Sequence, residues 1–123
     1  MDKIKSFRDL VVWQHAVDLA VHMYKATEQF PKSEMYGLTN QMRRASVSVA
    51  SNIAEGYNRS QAELNHFLDI ARGSLAELET QMDIALRIHY LPPMDHTTLL
   101  EETNILGRQL NVFQQRVDAT LKH

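Results

Sequence analysis

Apolar residues recur at steps of three and four positions along most of this chain, and the longest such series runs through residues 61–90. This spacing puts the apolar side chains on one face of an α-helix, which turns once in about 3.6 residues. Three other segments show similar series, and short stretches with Pro or Gly separate them. The sequence therefore predicts four helices, at about residues 10–29, 34–57, 61–90 and 95–121.

The second predicted helix contains an atypical segment, residues 41–56, that is crowded with Ala and Ser. Its residues 46–49 alternate as a strand would, but no other stretch offers a strand partner, and a lone strand leaves its backbone groups unsatisfied. We therefore interpret the segment as a helix whose small side chains let neighbouring helices approach closely. We predict that Ser33 caps this helix and that Gly56 ends it in left-handed geometry. Gly73, within the third helix, costs about 1 kcal/mol relative to Ala, which we expect a closely packed helix to offset.

Short turns and heptad-like apolar spacing predict an all-α, antiparallel, up-down-up-down four-helix bundle. With 123 residues, the chain is expected to form a single domain. Val12 and Leu19 belong to a second apolar stripe on helix one, and Ile84 and Ile88 fall off the main stripe of helix three. These wide apolar arcs fit either heavily buried helices within a monomer or helices that also face another subunit, as in a ring. Both interpretations stay open at this point.

Composition excludes several kinds of site. The chain has no Cys, so it cannot form a disulfide, a thiol nucleophile or a thiolate metal site. The sequence shows no signal peptide and no apolar run that could span a membrane, so we expect a cytoplasmic protein without membrane contact. The formal net charge is -2, whereas dedicated nucleic-acid binders are usually strongly basic. The charge is uneven, however, because residues 41–59 carry three Arg against one Glu.

No catalytic or metal-binding motif is complete in this sequence. Glu63 and His66 form one E-x-x-H motif, but a di-iron bundle needs two such motifs and two further carboxylates. His15, Asp18 and His22 share one helical face, which we interpret as a solvated polar face. The serines of the second helix lack the G-x-S-x-G elbow of a nucleophile. We therefore predict no enzyme activity, no catalytic residue, no bound metal and no cofactor.

The candidate functional residues are polar side chains on and around the second helix. Basic residues are concentrated there, and we predict that they contact the phosphate groups of RNA or DNA: Arg43, Arg44, Arg59 and Lys32. Other polar residues are predicted to fix the structure or an interface through hydrogen bonds or ion pairs: Asn52, Glu55 and Glu77. In the alternative interpretation, the arginines form ion pairs with the acidic third helix and have no external ligand.

Several long motifs resemble a known protein family. They are F-R-D-L-V-V-W at 7–13, E-M-Y-G-L at 34–38, Q-M-R-R-A-S at 41–46, N-I-A-E-G at 52–56 and A-R-G-S-L-A-E-L-E-T-Q at 71–81. On these residues, the chain resembles the four-helix-bundle proteins encoded in intervening sequences of bacterial 23S rRNA genes. It departs from many relatives at Val49-Ala50, where they carry a proline.

The resemblance implies a bundle that assembles as a homopentamer with a central channel, in a family without an established enzymatic activity. The family is similar in fold to the accessory protein of diversity-generating retroelements, which binds nucleic acid and a reverse transcriptase. We accordingly expect a non-enzymatic oligomer that binds RNA, DNA, a ribonucleoprotein or a nucleic-acid enzyme through a repeated arginine patch. The alternative is a structural or protein-interaction scaffold without nucleic-acid binding.

Overall fold

Four α-helices account for most of residues 3–121, the part of the chain that this computed structural model describes. They are α1 (Val11–Thr27), α2 (Leu38–Tyr57), α3 (Gln61–Arg87) and α4 (Pro93–Leu121). Short 3-10 turns occur at Phe7–Asp9 and Lys32–Glu34. No strand occurs among the described residues, which confirms the predicted all-α class with four helices.

The helices surround one apolar core in the order in which they follow along the chain. α1 and α3 each pack against α2 and α4, and the diagonal pairs make no close backbone contact within residues 3–121. Fully buried side chains come from every helix, including Leu19, Met42, Leu78 and Leu106. Burial of one such side chain contributes about 1.5–3 kcal/mol. None of the helices in the described part of the chain combines the length and the apolar character needed to cross a membrane.

α2 begins four residues later than predicted, because residues 32–37 form a separate turn. The prediction that Ser33 caps this helix is wrong, since Ser33 lies inside the 3-10 turn and Gly37 occupies the capping position. Glu34 replaces the missing cap: its Oε1 accepts a hydrogen bond from the Leu38 amide at 3.1 Å. Its Oε2 accepts one from the Tyr90 hydroxyl at 3.0 Å. The Glu34 carboxylate thus caps the start of α2 and links it to the segment that follows α3.

α3 and α4 also differ slightly from their predicted bounds. α3 ends at Arg87 rather than Tyr90, and His89 follows with a φ of 66°. This left-handed conformation stops a helix and is uncommon for a residue other than Gly. α4 starts at Pro93, two residues earlier than predicted, because the fixed φ of Pro suits the first position of a helix.

Neither Gly56 nor Gly73 has the role that the sequence suggested. The prediction of a left-handed Gly56 is wrong, since no described glycine has a positive φ and Gly56 lies inside α2. A Cβ atom on Gly56 would lie 2.7 Å from Phe67 Cβ and 3.0 Å from Leu64 Cδ1. Gly56 therefore permits a close approach of α3 to α2. Apart from its chain neighbours and the nearby backbone of α3, a Cβ atom on Gly73 would have no described atom within 4 Å, so no packed helix offsets the cost of this glycine.

Candidate functional site

Arg43 is anchored against the C-terminal end of α1. Its Nε donates a hydrogen bond to Thr27 Oγ1 at 2.9 Å, and its Nη2 donates one to the Tyr24 carbonyl at 3.4 Å. The guanidinium carbon lies 4.7 Å from the centre of the Tyr24 ring. A cation is favourable here because the C-terminal end of a helix carries partial negative charge. Arg43 therefore joins α2 to α1, and this contact is structural.

Arg44 and Lys32 are exposed near the same end of the bundle. Arg44 follows Arg43 directly, so its side chain leaves α2 in a direction about 100° further round the helix. Within residues 3–121, no carboxylate oxygen lies within 4 Å of either cation. For Arg44 and Lys32, the ion pairs with acidic α3 that the alternative interpretation requires are therefore not formed inside this part of the chain.

Arg59 lies beyond the opposite end of α2 and is paired with two carboxylates. Roughly 24 Å of helical rise separates it from Arg43. Its guanidinium donates hydrogen bonds to Glu55 and, at 3.3 Å, to Glu63. The hydrogen bond to Glu55, together with the charge of Glu55, raises the pKa of Arg59 above its ordinary value. The structure thus divides the predicted basic cluster, with Lys32, Arg43 and Arg44 at one end and Arg59 at the other.

The predicted polar residues of α2 and α3 bind neighbours within this chain. Asn52 Nδ2 donates to the Ser48 carbonyl at 2.8 Å and to Ser48 Oγ at 3.0 Å. Ser48 Oγ also lies 2.9 Å from Ser74 Oγ, which joins α2 to α3. Glu77 accepts a hydrogen bond from Gln81 Nε2 at 3.3 Å. Asn52 therefore supports the α2–α3 contact through Ser48 and makes no paired amide contact in the described chain.

Gln114 forms a buried polar contact between α3 and α4 that sequence reasoning missed. Its Nε2 donates to Asn65 Oδ1 at 2.9 Å and to Asp69 Oδ1 at 2.6 Å. Its Oε1 accepts from Arg72 Nη1 at 3.0 Å. Both ends of the buried amide are satisfied, as a buried polar group requires. The signal in the sequence was its place in the core-facing series of α4, four residues after Leu110 and three before Val117.

The histidines of α1 contact α4 instead of forming a purely solvated face. His15 Nδ1 lies 2.7 Å from Gln109 Oε1, and His22 Nδ1 lies 2.8 Å from Glu102 Oε1. A further histidine, His96, lies 2.7 Å from Asp83 Oδ1. Among residues 3–121, no three His, Asp or Glu residues are grouped so that they could hold a metal ion.

An apolar groove runs along the outside of α1 and α2. It has a volume of about 550 Å³, and Trp13, Val17, Val21, Val47 and Ala54 contribute to its lining. Val21 and Val47 are 46% and 42% exposed. The small side chains of α2 keep the groove open, so they serve this outer surface as well as the core.

The apolar residues assigned to a structural or interface role fall into two groups. Val12 and Leu19 are core residues, 8% and 0% exposed, so they cannot provide an interface. Ile84 and Ile88 are 46% and 45% exposed on α3 and just after it, where they remain accessible to a partner. On α1 the stripe of Val12 and Leu19 thus faces inward, and the neighbouring stripe with Trp13 and Val17 lines the groove.

Comparisons with known proteins agree on the fold of this chain. A family model described as 23S rRNA-intervening sequence protein matches residues 8–112. A solved protein of unknown function from the S23 ribosomal protein family of Bacteroides thetaiotaomicron is similar in structure, with a TM-score of 0.76 and 20% identity. The similarity covers 85% of this chain and 98% of that one. No curated protein matches.

Proposed function

This chain belongs to the 23S rRNA-intervening sequence protein family, and from that premise we propose that it is a non-enzymatic, cytoplasmic oligomer that binds RNA, DNA or a ribonucleoprotein. The binding surface is the basic end of the bundle, formed by Lys32, Arg43 and Arg44. Lys32 and Arg44 provide the charge, and Arg43 joins this surface to the end of α1. A phosphate at Arg59 would have to displace two carboxylates, so Arg59 is not part of this surface.

The observation that carries the proposal is the absence of a carboxylate within 4 Å of Arg44 or Lys32 in the described chain. Surface cations without internal partners can release their counterions to a phosphate backbone, and this release drives nucleic-acid binding. A single subunit offers only a few such charges. An assembly repeats them, and several weak contacts made together bind far more tightly than one.

We place this surface on an antiparallel, up-down-up-down subunit. The interhelix hydrogen bonds support this arrangement, since His15 pairs with Gln109 and the later His22 pairs with the earlier Glu102. α1 and α4 therefore run in opposite directions. The subunits form a homopentameric ring, as the resemblance implies, and the apolar groove along α1 and α2 supplies a contact surface. The basic end then recurs once in each subunit.

Titration of structured RNA and of duplex DNA across a salt series tests the proposal. We expect binding that weakens linearly with the logarithm of salt concentration, with a slope that reports the number of phosphates contacted by the assembly. Combined Lys32→Ala and Arg44→Ala should weaken binding and reduce the slope. Arg108→Ala is the matched control, because Arg108 is an α4 arginine without a carboxylate within 4 Å in the described residues. Absence of binding at low salt would overturn the proposal.

A protein-interaction scaffold without nucleic-acid binding is the second candidate. It is favoured by the apolar surfaces that this chain leaves uncovered, namely the α1–α2 groove and the exposed Ile84 and Ile88. A stable assembly that binds neither RNA nor DNA at low salt would support this scaffold instead.

A further inference from the structure

Tyr36 has the most exposed side chain of the large apolar and aromatic residues in the described chain, at 94%. Tyr24 is 43% exposed, and the Arg43 guanidinium lies over its ring. An aromatic ring contributes to stability mainly by burial, and Tyr36 contributes almost nothing in this way. Within residues 3–121, burial therefore does not account for an aromatic residue at this position.

The loop that carries Tyr36 is nevertheless held firmly in place. On the two sides of Tyr36, the Met35 amide donates to the Lys32 carbonyl at 3.1 Å and the Gly37 amide donates to the Glu34 carbonyl at 2.9 Å. The Glu34 side chain binds both the start of α2 and the Tyr90 hydroxyl. The backbone thus fixes the direction in which the Tyr36 side chain leaves the loop.

Gly37 and Phe30 strengthen this anchoring. A Cβ atom on Gly37 would lie 2.6 Å from Glu34 Oε1, so the glycine makes room for the carboxylate that caps α2. Phe30 is 6% exposed, and its ring centre lies 5.5 Å from that of Tyr90. An exposed ring on a preorganised loop can bind a partner at a small entropic cost, since the loop is already ordered.

Two exposed cations, Lys32 before Tyr36 along the chain and Arg44 after it, provide positive charge for an anionic partner. Lys32 lies four residues earlier in the same loop, and Arg44 lies about 9 Å of helical rise after the start of α2. Neither has a carboxylate within 4 Å in residues 3–121. The nearest acidic residue in the loop, Glu34, uses both carboxylate oxygens in hydrogen bonds. The α1–α2 groove does not include Tyr36, so the ring is not part of that apolar surface.

We propose that Tyr36 is a stacking platform for an unpaired base of single-stranded nucleic acid, with the adjoining phosphates against Lys32 and Arg44. This inference rests on the proposed function and adds a preference for unpaired strands. Aromatic side chains beside cations bind single strands in this way, because every base presents a flat face and each phosphate carries a charge. Base-paired duplexes compete less well, since a paired base must first leave its stack.

The expected effect of losing the ring is large enough to measure. Stacking of one base on an aromatic side chain contributes about 1–3 kcal/mol, which corresponds to a change of about 5- to 150-fold in affinity. Tyr36→Ala should therefore weaken binding of a short unstructured RNA or DNA within this range, and Tyr36→Phe should retain binding within about 2-fold, because the ring and not the hydroxyl stacks. Both variants should keep the wild-type melting temperature.

Fluorescence anisotropy with labelled oligonucleotides of about 8 nucleotides, a typical site size, tests the inference across a salt series. Tyr36→Ala should lower affinity without changing the salt slope, because stacking releases no counterions, whereas Arg44→Ala should lower the slope by about 1. Met94→Ala is the matched control, since Met94 is 80% exposed in the first turn of α4. RNA and DNA of one sequence show whether the sugar matters.

The outcomes separate this inference from the function on which it rests. If wild-type protein binds and Tyr36→Ala binds equally well, the stacking platform is wrong and phosphate binding stands. If Tyr36→Ala changes the mass of the assembly, Tyr36 belongs to a protein contact and the inference is also overturned. If wild-type protein binds no strand at low salt, the proposed function fails, and the stacking platform fails with it.

Discussion

Tyr90 donates its hydroxyl hydrogen to the Glu34 carboxylate over 3.0 Å, and this contact joins the segment after α3 to the turn before α2. The hydrogen bond to Glu34 is the main cause of a raised pKa of Tyr90, and burial and the negative charge of Glu34 raise this pKa further. The contact lies beside the loop that presents Tyr36. It therefore links the stability of one end of the bundle to the candidate binding surface.

We expect Tyr90→Phe to be less stable than wild type at neutral pH, because the Glu34 oxygen loses its donor. A raised pKa in the fold means that folding favours the neutral hydroxyl. This contribution is complete below the unfolded pKa of about 10, and it is lost as the pH rises through the higher folded value. Urea denaturation at about pH 8 and about pH 11 checks this. The difference between the two proteins should shrink at the higher pH, and an unchanged difference would contradict the assignment.

Gly56 and Gly73 allow a matched test of helix packing. In Gly56→Ala, the new Cβ would meet Phe67 Cβ at 2.7 Å and Leu64 Cα at 3.3 Å, so the gain of about 1 kcal/mol in helix propensity should be outweighed. We expect a net loss of about 1–3 kcal/mol. Gly73→Ala meets no described atom within 4 Å and should stabilise by about 0.5–1 kcal/mol. Chemical denaturation of both variants checks the pair, and a stable Gly56→Ala would show that α3 can move away.

These glycines also show which part of the fold can be predicted from sequence. Apolar periodicity places all four helices, because residues three and four apart share a helical face wherever the partner helix lies. It does not tell which of two adjacent stripes faces inward, and on α1 the structure buries the stripe of Val12 and Leu19. The close approach at Gly56 depends on where α3 packs against α2, and the sequence of α2 alone does not predict this position.

The candidate site was harder to predict than the fold. Adjacent basic residues in the sequence suggested one patch, but α2 places Arg43 and Arg59 roughly 24 Å apart along its axis. Arg59 also differs from Arg44 in its ion pairs. Glu55 and Glu63 each lie four residues from Arg59, and their carboxylates neutralise its charge. Arg44 has no such neighbour within 4 Å in residues 3–121. The exposure of Tyr36 depends on the path of the whole 28–37 segment, which local sequence does not specify.

Gln114 provides a prediction about the α3–α4 contact. Gln114→Leu removes the buried amide that binds the side chains of Asp69 and Arg72. We expect a loss of about 0.5–1.5 kcal/mol, the net contribution of a typical hydrogen bond, because Asp69 and Arg72 are exposed and can bind water instead. Gln115→Leu is the control, because Gln115 is the exposed neighbour on the same helix. Thermal and urea unfolding measure both. Equal stability of the two variants would mean that Gln114 only fills space.

The α1–α2 groove provides a prediction about assembly. Val47→Glu puts a charge on its apolar surface, and burial of an unpaired charge at a subunit contact is strongly unfavourable. We expect Val47→Glu to reduce the mass of the assembly in light scattering with its helical circular dichroism unchanged, because Val47 is 42% exposed in the single chain. Val112→Glu makes the same change in a second apolar groove, between α1 and α4, where Val112 is 47% exposed. Dissociation by Val112→Glu alone would place the contact on α4 instead.

Arg44 and Arg59 provide a direct test of which end of α2 meets nucleic acid. Arg44→Ala should reduce the salt slope by about 1 for each copy that contacts a phosphate. Arg59→Ala should leave affinity within about 2-fold, because the Arg59 charge already binds Glu55 and Glu63 and few counterions are released there. Anisotropy titrations of both variants against one RNA at several salt concentrations make the comparison.

The reverse result would be equally informative. If Arg59→Ala lowers the slope and Arg44→Ala does not, phosphate displaces the two carboxylates and the binding surface lies at the end of the bundle beyond Tyr57. In that case, Glu55→Gln should strengthen binding, since it removes a competing charge from Arg59. If Glu55→Gln has no effect while Arg44→Ala lowers the slope, the ion pairs of Arg59 serve the α2–α3 turn, and the basic surface is the one formed by Lys32, Arg43 and Arg44.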